Sequence, residues 1–150
     1  MSNEGQLLVA LRRGDAATFA TLLEKGVACI AVNSWGQTLL HEAAGKGHVE
    51  IVRLLLQHLP KVPFRHLQVP VGINATDSVL GDTPLHYAVY YKHVAIVELL
   101  LDAHASVVVA NNELETAIAY AKRYGAHEIL PLLLDRLPWE LPVTTPAEAA

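Results

Sequence analysis

Apolar positions along this chain recur at helical spacing in short stripes that come in pairs. Leu85, Ala88 and Val89 fall on one face of a helix, and after His93 the residues Val94, Ile96, Val97 and Leu99 to Leu101 form the stripe of a second. The pattern predicts a helix pair, and the pair is repeated. A 45-residue shift lays Gly36, Thr38, Leu40, His41, Ala43, His48, Val49, Ile51, Val52 and Leu54 to Leu56 onto Gly81, Thr83, Leu85, His86, Ala88, His93, Val94, Ile96, Val97 and Leu99 to Leu101. A further 33-residue shift carries Thr83, Tyr87, Ala88, Tyr91, Ile96 and Leu99 to Asp102 onto Thr116, Tyr120, Ala121, Tyr124, Ile129 and Leu132 to Asp135. Leu7, Ala10, Gly14, Leu22 and Leu23 stand 33 residues before Leu40, Ala43, Gly47, Leu55 and Leu56. Repetition at such a period predicts a solenoid, in which each pair buries its apolar face by stacking on its neighbours. Function then belongs to a surface rather than to a catalytic pocket.

The best copy explains where its helix begins. Thr83 can accept from a free N–H at a helix start, and Pro84 suits the first helical position, where its missing N–H had no partner. Thr83-Pro84-Leu85-His86-Tyr87-Ala88 matches the signature Thr-Pro-Leu-His-x-Ala in full, and on this motif the chain resembles the ankyrin-repeat family. The resemblance implies an all-α solenoid of stacked helix-turn-helix units with β-turn or hairpin fingers. It also implies that His86, and by match His41, hydrogen-bonds between repeats.

Four units are expected, at about 3–35, 36–80, 81–113 and 114–138, within a single domain spanning 1–141. The first has Gly5 and Leu8 at the Thr and His positions and reads as an N-terminal capping repeat. In the second, Gly45-Lys46-Gly47-His48 supplies glycines able to close the first helix in a left-handed conformation. About twelve inserted residues, near 59–71, lengthen this unit; Pro60, Pro63 and Pro70 resist helix there, and Lys61, Arg65 and His66 make it basic. The insertion reads as a tolerated surface loop or as an added partner contact. In the fourth unit Pro131 predicts a second helix that starts late. Before Thr116, Leu114 replaces the turn glycine, so Asn111-Asn112 is expected to supply the positive φ, with Leu114 exposed as a contact candidate. Trp139 is expected to cover the end of the stack, and residues 142–150 to be disordered.

Composition narrows the function classes. The 52% apolar content suffices for a continuous core, while no apolar run approaches the roughly 20 residues of a membrane span. The opening Met1-Ser2-Asn3-Glu4 has neither a basic cap nor an apolar signal core, and a single Cys29 makes no internal disulfide, so a cytoplasmic or nuclear setting is expected. A net charge of -4 argues against bulk attraction to nucleic acid. Of the eight histidines, His41, His48, His86 and His93 recur at equivalent positions, which points to structure. His41-Glu42-Ala43-Ala44-Gly45 resembles a zinc motif, but Gly45 stands where the second ligand is needed. Gly45-Lys46-Gly47-His48 is too short for a phosphate loop, and no Gly-x-Ser-x-Gly elbow occurs. Neither enzymatic activity nor any cofactor or metal is expected.

The resemblance further implies a concave face of finger turns and first helices that binds another protein. Carried across residue by residue, it gives Trp35 and Lys46, then Tyr87, Tyr90 and Tyr91, then Tyr120, Arg123 and Tyr124, with Arg12 and Arg13 from the first unit. Every tyrosine of the chain is in this set. Tyr, Trp and Arg dominate interface energetics, so these residues and Leu114 are the candidate partner-binding set. Tyr87 and Tyr120 are equally open to a packing role between first helices. The expectation is a monomeric, non-catalytic adaptor, regulator or stoichiometric inhibitor, whose cations meet an acidic patch on a protein partner. The alternative is single-stranded nucleic-acid binding, with bases stacked on tyrosines and phosphates on arginines; the overall acidity opposes it.

Overall fold

A computed structural model describes residues 2–29, 31–59 and 72–138. The expected insertion apart from Leu59, Trp139 and the expected disordered tail lie outside these residues. Among the described residues are eight helices: α1 (Asn3–Arg13), α2 (Ala16–Glu24), α3 (Leu39–Lys46), α4 (Val49–His58), α5 (Pro84–Tyr90), α6 (Val94–Asp102), α7 (Ala117–Arg123) and α8 (Leu130–Leu134). Successive helices pack as pairs; α1, α3, α5 and α7 then form one row, with α2, α4 and α6 aligned behind it. The core runs continuously between the rows, from Leu7, Leu11 and Phe19 through Leu40, Ile51 and Leu55 to Leu85, Ile96, Leu100, Ile129 and Leu133. Pro131 falls in the first turn of α8, which starts at Leu130 although the equivalent of Val94 is His127.

The motif residues join one unit to the next. Thr38 and Thr83 cap α3 and α5, each side chain accepting from the backbone N–H of the histidine three residues on. The histidine answers: Nδ1 of His41 accepts from the Thr38 N–H at 3.0 Å, and Nδ1 of His86 from the Thr83 N–H at 3.1 Å. An acceptor Nδ1 leaves the ring proton on Nε2. That proton is donated to the following finger, from His41 to the Asp82 carbonyl at 2.8 Å and from His86 to the Glu115 carbonyl at 3.0 Å. Burial holds the pKa of His41 below its ordinary value, in keeping with a neutral ring.

A second rule governs the ends of the first helices. Gly14 and Gly47 terminate α1 and α3 at φ 71° and 78°, and a Cβ on either would come within 2.9 and 2.8 Å of the rings of His48 and His93. Glycine therefore serves both the left-handed turn and the ring laid on it. After α5 the equivalent position is Lys92, at φ 60°. Ala126 stands where the next histidine would be, and an open cavity of about 360 Å³ lies among Lys92, Val94, Gly125, Ala126, His127 and Ile129. With no ring to meet, the position tolerates a side chain.

The hairpin fingers expected from the resemblance are not present. No strand occurs among the described residues, and pairing is confined to an isolated bridge between Val32 and Thr38. The fingers are turns closed by one Asx side chain each, which takes the backbone donors a strand ladder would have used. Asn33 Oδ1 accepts from Trp35 and Gln37, Asp77 Oδ1 from Val79, Leu80 and Gly81, and Asn111 Oδ1 from Glu113 and Glu115. Neighbouring turns are tied by the Ser78 N–H to the Trp35 carbonyl at 2.9 Å and the Asn112 N–H to the Leu80 carbonyl at 2.8 Å. The positive φ of the last turn belongs to Leu114 itself, at 63°, and not to Asn111-Asn112 as the sequence suggested.

Candidate functional site

Helices α5 and α7 each place tyrosines one turn apart on the side facing the finger turns. Tyr87 and Tyr90 lie on α5 with Tyr91 at its C-cap; Tyr120 lies on α7 with Tyr124 at its C-cap. Residues three or four apart share a helix face, so the rings converge. Tyr90 meets Tyr91 and Tyr124 edge to face at 4.9 and 4.7 Å between centroids, and Tyr124 meets Tyr120 likewise at 5.3 Å. Trp35, Val79 and Leu80 border them from the finger turns, and the whole surrounds a cavity of about 480 Å³. Gly45 on α3 makes room for this cluster, since a Cβ there would stand 3.3 Å from the Tyr87 ring and 3.6 Å from that of Tyr91.

The five tyrosines divide by what their hydroxyls do. Tyr87 donates to Asp77 Oδ2 at 2.6 Å and accepts from Gln37 Nε2 at 2.7 Å. Tyr120 donates to the Asp82 carboxylate at 2.9 Å and accepts from Asn111 Nδ2 at 3.1 Å. Burial, reinforced by the carboxylate bond, pushes both phenols above their ordinary range, so they stay neutral donors. Tyr90 and Tyr91 are 45% and 53% exposed, and Tyr124 is half-buried beside them.

The two carboxylates under the rings are nearly fully covered. Burial opposes ionisation of Asp77, but hydrogen bonds from Tyr87 and from the N–H groups of Leu80, Val79 and Gly81 outweigh it and hold its pKa below the usual carboxylate range. Among the described residues, no lysine or arginine pairs with Asp77 or Asp82. The cations of the sequence set lie elsewhere. Arg12 pairs with Glu42 at 3.5 Å; Arg123 pairs with Glu115, reaches Glu113 at 4.0 Å and lies over the Tyr124 ring at 5.5 Å. Arg13 and Lys46 are exposed at the ends of α1 and α3, without an ion pair among the described residues.

The structure thus gathers Trp35, Tyr87, Tyr90, Tyr91, Tyr120 and Tyr124 around one cavity, with Arg123 joined through Tyr124. It leaves Arg12, Arg13 and Lys46 outside the cavity lining, and Leu114 is 86% exposed at the last finger turn. The sequence marks Asp77 to Gly81 as a turn, and the structure adds that Asp77 shapes this turn with one oxygen and holds Tyr87 with the other, a second role that sequence reasoning missed. The available signal was an Asx residue just before each turn. No group of three or more His, Cys, Asp or Glu able to hold a metal occurs among the described residues.

Comparison with known proteins agrees with this architecture. The family profile described as "Ankyrin repeats (3 copies)" matches residues 7–111 and 64–140. Mouse Rabankyrin-5 is 30% identical over 109 residues, which cover 68% of this chain and 9% of that protein. Human diacylglycerol kinase iota is 27% identical over 135 residues, covering 90% of this chain and 12% of the kinase. Mouse 2-5A-dependent ribonuclease is 41% identical over 59 residues, 39% of this chain and 8% of that enzyme. The chain therefore spans only a small part of each of these relatives. Helix pairs stacked in two rows, threonine caps answered by histidines that reach the next finger, and a profile match over most of the length place the chain in the ankyrin-repeat family.

Proposed function

We propose that the chain is a non-catalytic docking module of four repeat units, an adaptor, regulator or stoichiometric inhibitor, that holds a protein partner against the tyrosine face. Its family gives it the general protein-interaction role of ankyrin repeats. The observation carrying the assignment to this face is the exposed row of Trp35, Val79, Leu80, Tyr90, Tyr91 and Leu114, large apolar groups on the finger turns and the end of α5. An apolar patch bordered by polar groups marks an interaction surface. Tyr90, Tyr91 and Tyr124 supply the anchors, since their hydroxyls are not tied to the buried carboxylates as those of Tyr87 and Tyr120 are. Arg13 and Lys46 meet acidic side chains of the partner at the α1 and α3 ends. Single-stranded nucleic acid fits this face poorly, because Arg12 and Arg123 are engaged by Glu42 and Glu115 and the cavity floor carries two carboxylates. A monomer in a cytoplasmic or nuclear setting completes the reading; burial raises the pKa of the Cys29 thiol, which keeps it protonated.

The test is affinity capture by the chain and by a variant with Tyr90, Tyr91 and Tyr124 replaced by Ala. The partner recovered with the parent chain is expected to be lost with the variant, at unchanged helical circular dichroism. Equal recovery by a folded variant would overturn the assignment to this face.

A further inference from the structure

We infer that the tyrosine cavity receives a basic side chain, an arginine or a lysine, from the docked partner, with Asp77 and Asp82 as its counter-charge. This rests on the docking reading above and deepens it by naming the chemistry that enters the cavity.

Charge complementarity carries the inference. The lining contains two aspartates and no lysine or arginine. Four hydrogen bonds keep Asp77 ionised, and neither aspartate has a cationic partner among the described residues. Buried carboxylates are ordinarily paired with cations or metals, so the floor is short of positive charge. Nor is the floor arranged for an anion, because its donors are committed. The Tyr87 and Tyr120 hydroxyls give their protons to Asp77 and Asp82, Asn111 Nδ2 donates to both Asp82 and Tyr120, and His86 Nε2 donates to the Glu115 carbonyl.

The walls suit the rest of such a side chain. Ring faces carry negative charge density, attract a cation above them and accept the apolar stem of an arginine or lysine. The chain already uses this chemistry at the rim, where the Arg123 guanidinium lies over the Tyr124 ring. A volume of about 480 Å³ lies within the usual range of small-ligand sites and leaves room for one long side chain. The cavity and the exposed Arg13 and Lys46 thus select opposite charges at different places on one face, which fixes the register of a docked segment.

The experiment uses three small probes: Nα-acetyl-arginine amide, its neutral near-isostere Nα-acetyl-citrulline amide, and Nα-acetyl-glutamate amide. Each is titrated into the full chain carrying ring-labelled tyrosines and followed by NMR. The arginine probe is expected to shift the Tyr90, Tyr91 and Tyr124 rings and to bind about five-fold more tightly than the citrulline probe. The ratio should shrink in Asp82→Asn. A Tyr90→Ala/Tyr91→Ala variant, altered only at exposed rings, should lose the arginine response and serves also if Asp82→Asn fails to fold. Equal binding of arginine and citrulline, tighter binding of glutamate, or no shift with any probe would overturn the inference. Partner capture is read separately, so a charge-blind cavity on a face that still captures its partner would refute this inference alone.

Discussion

Tyr87 and Tyr90 stand one turn apart on α5, yet the chain uses them for opposite purposes. Tyr87 Oη bridges Gln37 and Asp77, residues of two successive finger turns, whereas Tyr90 offers its ring to solvent and to other rings. Replacing Tyr87 or Tyr120 by Phe leaves a buried carboxylate short of a donor and should cost about 1–3 kcal/mol each in urea unfolding. Tyr90→Phe and Tyr91→Phe should stay within about 0.5 kcal/mol. His41 gives a pH-dependent counterpart. Burial depresses its folded pKa, so the unfolded chain takes up the proton first as pH falls. The stability tied to the neutral ring is full above the unfolded value of about 6.5 and is lost as pH falls from there towards the folded value. The urea midpoint should therefore fall below about pH 6.5, and the fall should be shallower in His41→Gln. The sequence set Tyr87 and Tyr120 apart as open to packing between first helices, but it did not show the carboxylate bonds behind that division. That division depends on Asp77, which stands four residues before Gly81, while Asn33 and Asn111 stand three before Gly36 and Leu114. Aligning the repeats sets Ser78 against Asn33 and so hides the residue that holds Tyr87.

At the scale of elements, helix starts and stops were legible because each is local chemistry. Thr38, Thr83 and Thr116 cap α3, α5 and α7 through their own side chains, and Gly14 and Gly47 end α1 and α3. Of the two finger forms expected, β-turn or hairpin, the hairpin was wrong, because a short polar loop between helices does not reveal whether a strand partner or an Asx oxygen takes its N–H groups. The histidine laid on the helix-ending glycine was legible only as a recurrence; contact geometry supplies the reason. That geometry separates two substitutions. Gly47→Ala puts a Cβ 2.8 Å from the His93 ring at a left-handed φ, and should cost about 2 kcal/mol or more. Lys92→Gly removes a left-handed lysine where no ring opposes it and should raise stability by about 1 kcal/mol. Thermal or urea unfolding of the pair reads both signs. If both glycine changes destabilised alike, the ring-on-glycine account would be wrong.

Over the whole molecule, stability passes from neighbour to neighbour. In the main packing each first helix meets the second helix of its own unit and the first helices of adjacent units, so among the described residues the last unit depends on a single interface with its neighbour. Among the described residues the last unit is weakly built: α8 spans only Leu130–Leu134, Leu134 and Leu137 are exposed, and the cavity beside Ala126 lies between the start of α6 and the segment leading into α8. Arg136 partly compensates. Its guanidinium donates to the Leu101 carbonyl at 2.9 Å and to Asp102 Oδ1 at 2.7 Å, fastening the residues after α8 to the C-terminal end of α6, where a cation also opposes the helix dipole. The bonds are partly solvated, so their loss should cost about 1 kcal/mol, and in a linear stack that cost falls locally. Arg136→Ala should therefore speed amide hydrogen exchange in α8 by about five-fold, while exchange in α3 and α5 stays unchanged. Uniform acceleration through α3, α5 and α8 would mean that the stack opens as one cooperative unit. An effect confined to α8 would place the tyrosine face, built on α5 and α7, inside the more stable part of the chain.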